Sequence, residues 1–235
     1  MGAYAFRSIG TTASSTTGGA LSPGAPTGKE IGDLLILFTG SLVSGTINDI
    51  TSTWTSLFED IDATTPSFYL YARIADGTAS DTPTGIDWTG TDDCFAVIVC
   101  YEGDVYTDLG TIVHNTAASA GGGQASNIAL SSLTITTDNT LVIAAGVNTK
   151  TATSNDTTTI TANGGLTKRM QFISLGTAII ACYADSQQTA ATNYDGSDFT
   201  RDGTNQTTNH SSVVLSLLSE EDSVALEAIT LRWRQ

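Results

Sequence analysis

The chain has 235 residues, of which 40% are hydrophobic and only 14% are charged, yet its formal net charge is −15. This length suffices for one sizeable core, and nine Lys and Arg residues are too few for the basic surface that nucleic-acid binding requires. An acidic surface also repels anionic membranes, and no stretch of the sequence has the length of a membrane-spanning segment. Composition therefore argues against nucleic acid and membranes as partners.

Strand patterns dominate the sequence. Residues 33–38 form a short continuous apolar run, which predicts a strand buried on both faces. Residues 67–74 alternate, which predicts a strand with Phe68, Leu70, Ala72 and Ile74 in the core and Tyr69, Tyr71 and Arg73 facing outward. Further apolar runs predict buried strands at residues 95–101, 141–147, 178–184 and 213–218. No segment before residue 219 predicts a helix.

Turn sequences separate these strands. Glycine accepts positive φ angles, and Asp or Asn before it favours a tight turn. We therefore predict turns at Asp76-Gly77, Asn163-Gly164-Gly165, Asp195-Gly196 and Asp202-Gly203.

The order of strands and turns occurs twice. Short segments of the first half have counterparts in the second, namely Ala20-Leu21-Ser22 with Ala129-Leu130-Ser131, 33–37 with 139–143, Ala75-Asp76 with Ala184-Asp185, and 95–102 with 212–220. One half alone would leave an apolar sheet face in water, whereas two halves packed face to face bury both faces. The sequence thus predicts an all-β fold, a single jelly-roll-like β-sandwich at residues 1–219 with related halves of about 1–110 and 111–219. Two separate domains, linked through residues 110–126, are the alternative.

Several of these motifs resemble those of a known class of domain. They are Gly32-Asp33-Leu34-Leu35-Ile36, Trp54-Thr55-Ser56-Leu57, the aromatic strand ending in Ala75-Asp76-Gly77, and residues 95–103. Together they resemble β-sandwich domains of tailed-phage virion proteins, which occur in head decorations, head fibres and tail fibres. The resemblance implies a virion surface protein, made in the host cytoplasm, that forms a homo-oligomer, by analogy a trimer, and contacts capsid or tail subunits.

The sequence offers no convincing catalytic set. It contains only two histidines, His114, which we place in a loop, and His210, which we place at a strand start. No Gly-x-Ser-x-Gly motif occurs. Carboxylates are plentiful, but most occupy turn positions and the sequence pairs no two of them across a cleft. We therefore expect a non-enzymatic protein, with a glycan hydrolase as the least favoured alternative.

Two weaker binding sites deserve a test. Asp195, Asp198 and Asp202 share one oxygen-rich segment, which suits Ca²⁺ although its spacing departs from the twelve-residue calcium loop, and plain turns are the simpler interpretation. No other cofactor is expected. Trp88 lies beside Asp87 between Gly85 and Gly90, so it is the aromatic residue expected to be exposed for stacking on a host glycan. That residue supports an alternative function, a carbohydrate-binding adhesin or receptor-binding protein of a phage tail. Trp54, in an alternating stretch, is expected in the core or at a sheet edge.

Three cysteines are present, Cys94, Cys100 and Cys182. Cys94 and Cys100 lie too far apart on one strand to form a disulfide with each other, whereas Cys182 is free to pair with either. The odd number of cysteines and the absence of a recognisable secretion signal in residues 1–10 favour buried free thiols.

Residues 220–235 form an additional C-terminal arm with apolar residues on both faces, so the sequence does not distinguish a helix from a strand. An apolar arm beyond a sandwich suits a partner surface, for example by adding a strand to a neighbouring subunit. The alternative is that it closes its own sheet. The expected interface residues are Val224, Leu226, Ile229, Leu231 and Trp233.

Overall fold

The computed structural model describes residues 4–42, 47–48, 50, 53–60, 66–89, 92–103, 108–124, 127–149, 159–174, 179–202 and 207–219. These residues form strands and turns, with one 3-10 turn at Ala79–Asp81 and no α-helix in these ranges. The all-β prediction is confirmed. In chain order the strands are β1 (Ala5–Ile9), β2 (Ala13–Ser15), β3 (Gly19–Leu21), β4 (Leu34–Ser41), β5 (Ile47–Asn48), β6 (Thr55–Asp60), β7 (Ser67–Ile74), β8 (Ile86–Trp88), β9 (Cys94–Glu102), β10 (Val113–Gln124), β11 (Thr140–Thr149), β12 (Ile160–Ala162), β13 (Thr167–Ile173), β14 (Ile179–Gln188), β15 (Phe199–Arg201) and β16 (Thr207–Leu217).

Two large antiparallel sheets form the centre of the fold. The first sheet has the order β1-β9-β4-β7-β6. β2 pairs with the start of β9, and β1 pairs with the end of β9. The second sheet has the order β10-β16-β11-β14-β13. Each sheet comes from one half of the chain. When the five strands in each order are numbered along the chain, both sheets have the spatial order first, fifth, second, fourth, third. The strands of the two sheets do not alternate along the chain, and the jelly-roll-like connectivity stays a prediction from the sequence.

The inner faces of the two sheets pack on each other to form a β-sandwich. Alternate residues of β4 and β9 meet alternate residues of β11, β14 and β16 in one buried cluster. Phe38 lies at its centre, edge-on to Phe95 with ring centroids 4.9 Å apart and tilted against Tyr183 across the sheets at 6.0 Å. Each such buried side chain contributes about 1.5–3 kcal/mol of transfer free energy, so this cluster holds the sheets together.

The outer faces of the sheets are also covered, which explains the continuous apolar runs. The first cover is the small sheet β3-β8-β5 with Trp54, and it buries the outward residues of β4 and β9. The second cover is the β12-β15 pair with residues 127–135 and Tyr194, and it buries the outward residues of β11, β14 and β16. The prediction of strands buried on both faces is confirmed at residues 34–38.

In β7 the predicted alternation of side chains is correct, but the expected exposure of its outer face is not. Phe68 and Leu70 do enter the central core. Tyr69 and Arg73 point the other way, as expected, yet they are buried beneath the first cover. Their sheet face is therefore not a solvent face.

The predicted turns fall where the sequence placed them. Gly77 has φ of 80°, and Gly164 and Gly165 have φ of 66° and 77°, a backbone region that side chains with a Cβ rarely adopt. Gly196 behaves in the same way, with φ of 78°. Gly203 of the fourth predicted turn lies outside the described residues.

Residues 113–124 differ from the expectation of a linker or loop. They form β10, an edge strand paired with β16 along its whole length, so His114 lies in a strand and not in a loop. The prediction failed because small residues and three consecutive glycines lack the β-branched and apolar pattern on which strand prediction depends.

The two ends of the described chain meet at one pole of the sandwich. The Tyr4 hydroxyl donates to the Leu218 carbonyl at 2.6 Å, and the Leu218 N–H donates to the Ile112 carbonyl at 2.9 Å. Residues 220–235, including the five expected interface residues, lie outside the described part of the chain.

Candidate functional site

A buried polar cluster crosses between the two sheets. From β9 of the first sheet, the Tyr101 hydroxyl donates to Asp185 Oδ2 in β14 of the second sheet at 2.6 Å and lies 3.0 Å from the Tyr183 hydroxyl. Arg169 Nε in β13 reaches both oxygens of Asp185, at 3.0 and 2.9 Å. The Arg169 guanidinium also lies over the Phe6 ring, 4.0 Å from its centroid. We call these five residues the inter-sheet cluster.

The inter-sheet cluster is suited to joining the two sheets through hydrogen bonds and an ion pair rather than to proton transfer. Burial, with the neighbouring carboxylate, raises the pKa of Tyr101 and Tyr183 well above the ordinary value for tyrosine. The Tyr101 hydroxyl therefore remains protonated and serves as a donor. Asp185 is itself buried, and the opposite charge of Arg169 compensates its desolvation. These contacts tie both sheets together inside an apolar core.

A second buried cluster holds the 3-10 turn against the first sheet. Asp81 is fully buried, and its carboxylate binds Lys29 Nζ at 2.8 Å and Arg73 Nε at 2.9 Å. The backbone N–H groups of Asp76 and Gly77 also donate to it, at 3.2 and 2.9 Å. Burial opposes ionisation of Asp81, but these four donors outweigh it and lower the pKa of Asp81. We call these residues the Asp81 cluster.

A third ionic group lies at the edge of the first sheet. Arg7 Nε lies 2.9 Å from Asp33 Oδ2, and Arg7 Nη2 lies 2.7 Å from Glu102 Oε2. Asp33 also accepts from the Cys100 thiol at 3.3 Å. Burial raises the pKa of Cys100 to about 12, so this thiol is not a nucleophile at neutral pH.

All three cysteines are free and buried, as the sequence favoured. Cys94 and Cys100 lie under the first cover and Cys182 under the second, on opposite sides of the sandwich, so neither possible pairing forms. Burial raises the pKa of Cys94 to about 11 and that of Cys182 to about 12.

Trp88 is not exposed, and that expectation is wrong. Only 2% of its surface is accessible, because it packs from the first cover onto the first sheet beside Tyr69, and its Nε1 donates to Thr39 Oγ1 at 3.0 Å. Trp54 is buried as expected, with its Nε1 donating to the Ser80 carbonyl at 3.0 Å. Neither indole offers a surface for stacking on a sugar.

The three aspartates proposed for Ca²⁺ each have a different hydrogen-bond partner. Asp195 accepts from the Ser197 hydroxyl at 2.9 Å, Asp198 from the Asn127 side chain at 3.3 Å, and Asp202 from the Thr159 N–H at 3.1 Å. Within the described ranges, no group of three or more His, Cys, Asp or Glu side chains is arranged to hold a metal ion. The Asp195 contact lies within one turn, whereas the Asp198 and Asp202 contacts join segments that are 71 and 43 residues apart in the sequence.

His210 is buried inside β16, where it faces Asn148 of β11 in the strand register. Burial lowers its pKa, with a smaller opposing effect from Asp198. The imidazole is therefore neutral at physiological pH and lies in a sheet rather than in a cleft.

A small depression of about 210 Å³ lies between the edges of the two sheets. Its walls are the hydroxyl-bearing residues 14–16 at the end of β2 and residues 172–174 at the end of β13, and the Ser174 hydroxyl donates to the buried Asp93 carboxylate. It carries no exposed charged side chain that would orient a substrate.

Sequence reasoning missed the inter-sheet cluster and the Asp81 cluster. Tyr101 and Asp185 are 84 residues apart, and Lys29 and Asp81 are 52 apart, so no local spacing signals either pair. The only available signal was the presence of single charged residues, Arg73 and Asp185, within or next to apolar strands.

Comparisons with family models, with curated proteins and with solved structures found no match. No helix in the described part of the chain is long and apolar enough to cross a membrane.

Proposed function

We propose that this chain is a non-enzymatic structural protein of a tailed-phage particle. In this proposal it is a capsid decoration (cement) protein or a fibre component on the virion surface, and it acts through contacts with capsid or tail subunits. The sequence motifs that resemble phage virion domains are the basis of this assignment.

The observation that carries the proposal is that four of the six described Lys and Arg residues bind carboxylates within the fold. Arg7, Lys29, Arg73 and Arg169 each bind a carboxylate of the same domain. These ion pairs reinforce a sandwich whose sheets are covered on both faces. A rigid scaffold with fixed charges suits a protein that works by shape and by hydrogen bonding along its edges.

The expected interface includes residues 220–235, with Val224, Leu226, Ile229, Leu231 and Trp233 as anchors. Deleting residues 220–235 should weaken incorporation into particles while leaving the thermal unfolding of the sandwich nearly unchanged. If the truncated protein is incorporated as well as the full chain, this segment is not the interface.

The proposed location is tested on particles. Phage particles from the source that encodes this chain are purified on a density gradient and probed with an antibody raised against the recombinant protein. We expect the chain to co-sediment with DNA-filled particles and the antibody to label their surface in electron micrographs. A chain found only in the soluble fraction would overturn the proposal.

The carbohydrate-binding alternative depended on an exposed Trp88, and that side chain is buried.

A further inference from the structure

The four outer edges of the two large sheets differ in how they are protected. Unpaired strand edges are templates for pairing with another chain, and proteins guard them with charges, bulges and short lengths. β6 carries Glu59 and Asp60 and has a register shift within it. β13 carries Lys168 and Arg169 and has a register shift between Lys168 and Met170.

The edge formed by β1 and β2 is guarded by its own chain. β1 carries Arg7 and a register shift, and the edge is interrupted between Ile9 and Ala13. The Gly24 N–H donates to the Thr11 carbonyl at 2.9 Å in that gap. Three of the four edges thus have a recognisable protective device.

The edge strand β10 has fewer of these devices, although its own chain reaches it at two points: the Ser131 hydroxyl donates to the Ala118 carbonyl at 3.0 Å, and Asn115 Nδ2 donates to the Thr134 carbonyl at 2.7 Å. It is 12 residues long and carries no Lys, Arg, Asp, Glu or Pro. Its single register shift lies at its start, between Val113 and Asn115, and pairing with β16 is then regular over residues 115–124. Within the described ranges no strand pairs with its other side. The side chains of Thr116, Ala118 and Ala120 are exposed along it.

We propose that β10 is a self-association edge, on which β10 of a second copy of this chain pairs antiparallel to form one continuous sheet across two protomers. The charge distribution favours this occupant. With a net charge of −15, two copies repel each other over most of their surfaces, whereas two β10 strands bring no like charges together. Antiparallel pairing of identical strands is self-complementary and closes as a two-fold dimer.

This inference is independent of the proposed virion role, because the edge would pair whether or not the protein enters a particle. It also differs from the trimer that the family resemblance implies, since an isologous edge contact gives an even number of subunits. The measured mass of the assembly therefore tests the pairing separately from the location.

The test is sedimentation velocity of the full chain over a wide range of protein concentrations. We expect a concentration-dependent dimer, and we expect Ala120→Lys to weaken it by about tenfold or more, the equivalent of at least about 1.4 kcal/mol, because each copy then brings a lysine to the shared edge. The matched control is Ser14→Lys, which places a lysine at an exposed position of β2 on the edge of the first sheet and should leave the dimer intact.

Cysteine cross-linking provides a second readout that does not depend on a destabilising charge. Single variants Thr116→Cys, Ala118→Cys and Ala120→Cys and their pairwise mixtures are oxidised, and at least one variant or mixture should form a disulfide-linked dimer, because facing residues of paired strands lie within disulfide range and a two-fold axis at any residue from 116 to 120 brings two of these positions opposite each other. The native thiols do not interfere, because all three are buried.

A monomer at every concentration, or a dimer equally weakened by both lysines, would overturn the proposal. So would a full chain that stays monomeric while a chain ending at Ser219 dimerises, since residues 220–235 would then be the occupant of the edge.

Discussion

The inter-sheet cluster makes a quantitative prediction for Tyr101→Phe. The substitution removes one hydroxyl and leaves the ring in place, so the lost free energy is that of a hydrogen bond. Both partners are buried, the acceptor is the Asp185 carboxylate, and the oxygens are 2.6 Å apart. Arg169 still binds both carboxylate oxygens in the variant, so Asp185 keeps its counter-ion.

A hydrogen bond to a charged acceptor contributes about 1.5–3 kcal/mol. For a chain of this size, a loss of about 2 kcal/mol lowers Tm by about 4–8 °C. The free energy of unfolding is measured by urea titration with far-UV circular dichroism, and Tm by calorimetry. A double-mutant cycle with Asp185→Asn should give a coupling energy of similar size.

The matched control is Tyr194→Phe. Tyr194 belongs to the second cover, and its hydroxyl donates to a neutral acceptor, the Ser197 carbonyl, at 2.8 Å. We expect this control to cost only about 0.5–1.5 kcal/mol. If Tyr101→Phe costs no more than Tyr194→Phe, the hydrogen bond to the Asp185 carboxylate does not stabilise the sandwich more than a bond to a neutral acceptor does.

Three further predictions concern buried groups. Asp81→Asn removes the anion shared by Lys29 and Arg73 and should cost about 3–5 kcal/mol in urea unfolding at neutral pH. Because folding lowers the pKa of Asp81, the stability that its carboxylate contributes is complete above the ordinary carboxyl pKa of about 4. That contribution is lost as the pH falls through the lower folded pKa. Tm should therefore fall more steeply on acidification in the native chain than in Asp81→Asn, and parallel curves of Tm against pH would contradict this. The three cysteine thiols should not react with a thiol reagent at pH 8 until the chain is unfolded, and rapid labelling of the native protein would show that the covers are open. Gly146→Ala should cost about 1–3 kcal/mol, because its Cβ would lie 2.6 Å from Cγ2 of Ile128; an unchanged Tm would mean that the second cover is loosely packed.

The central strands were predictable because their patterns are local. The apolar run at residues 33–38 and the alternation in residues 67–74 each determine which side chains are buried within one strand. Asn163 and Asp195 precede glycines with positive φ, and turn chemistry of this kind depends only on adjacent residues.

The covers were not predictable, because they are built from isolated apolar residues in segments without periodicity. Leu21, Leu130 and Tyr194 each contribute one buried side chain from a stretch that otherwise has the composition of a loop. The error at Trp88 has this origin: its neighbours in sequence suggested exposure, whereas its neighbour in space is Thr39, 49 residues away.

The meeting of Tyr4 with Leu218 has a consequence for engineering. In a chain without residues 1–3 and 220–235, a peptide of a few residues would join Ser219 to Tyr4, and new termini opened at the Asn163-Gly164 turn would leave every strand of both large sheets intact. Such a circular permutant should fold to the same sandwich, because closing a short loop costs little chain entropy. Cargo fused directly before Tyr4 or directly after Ser219 would project from this pole and leave the opposite end of the domain unobstructed.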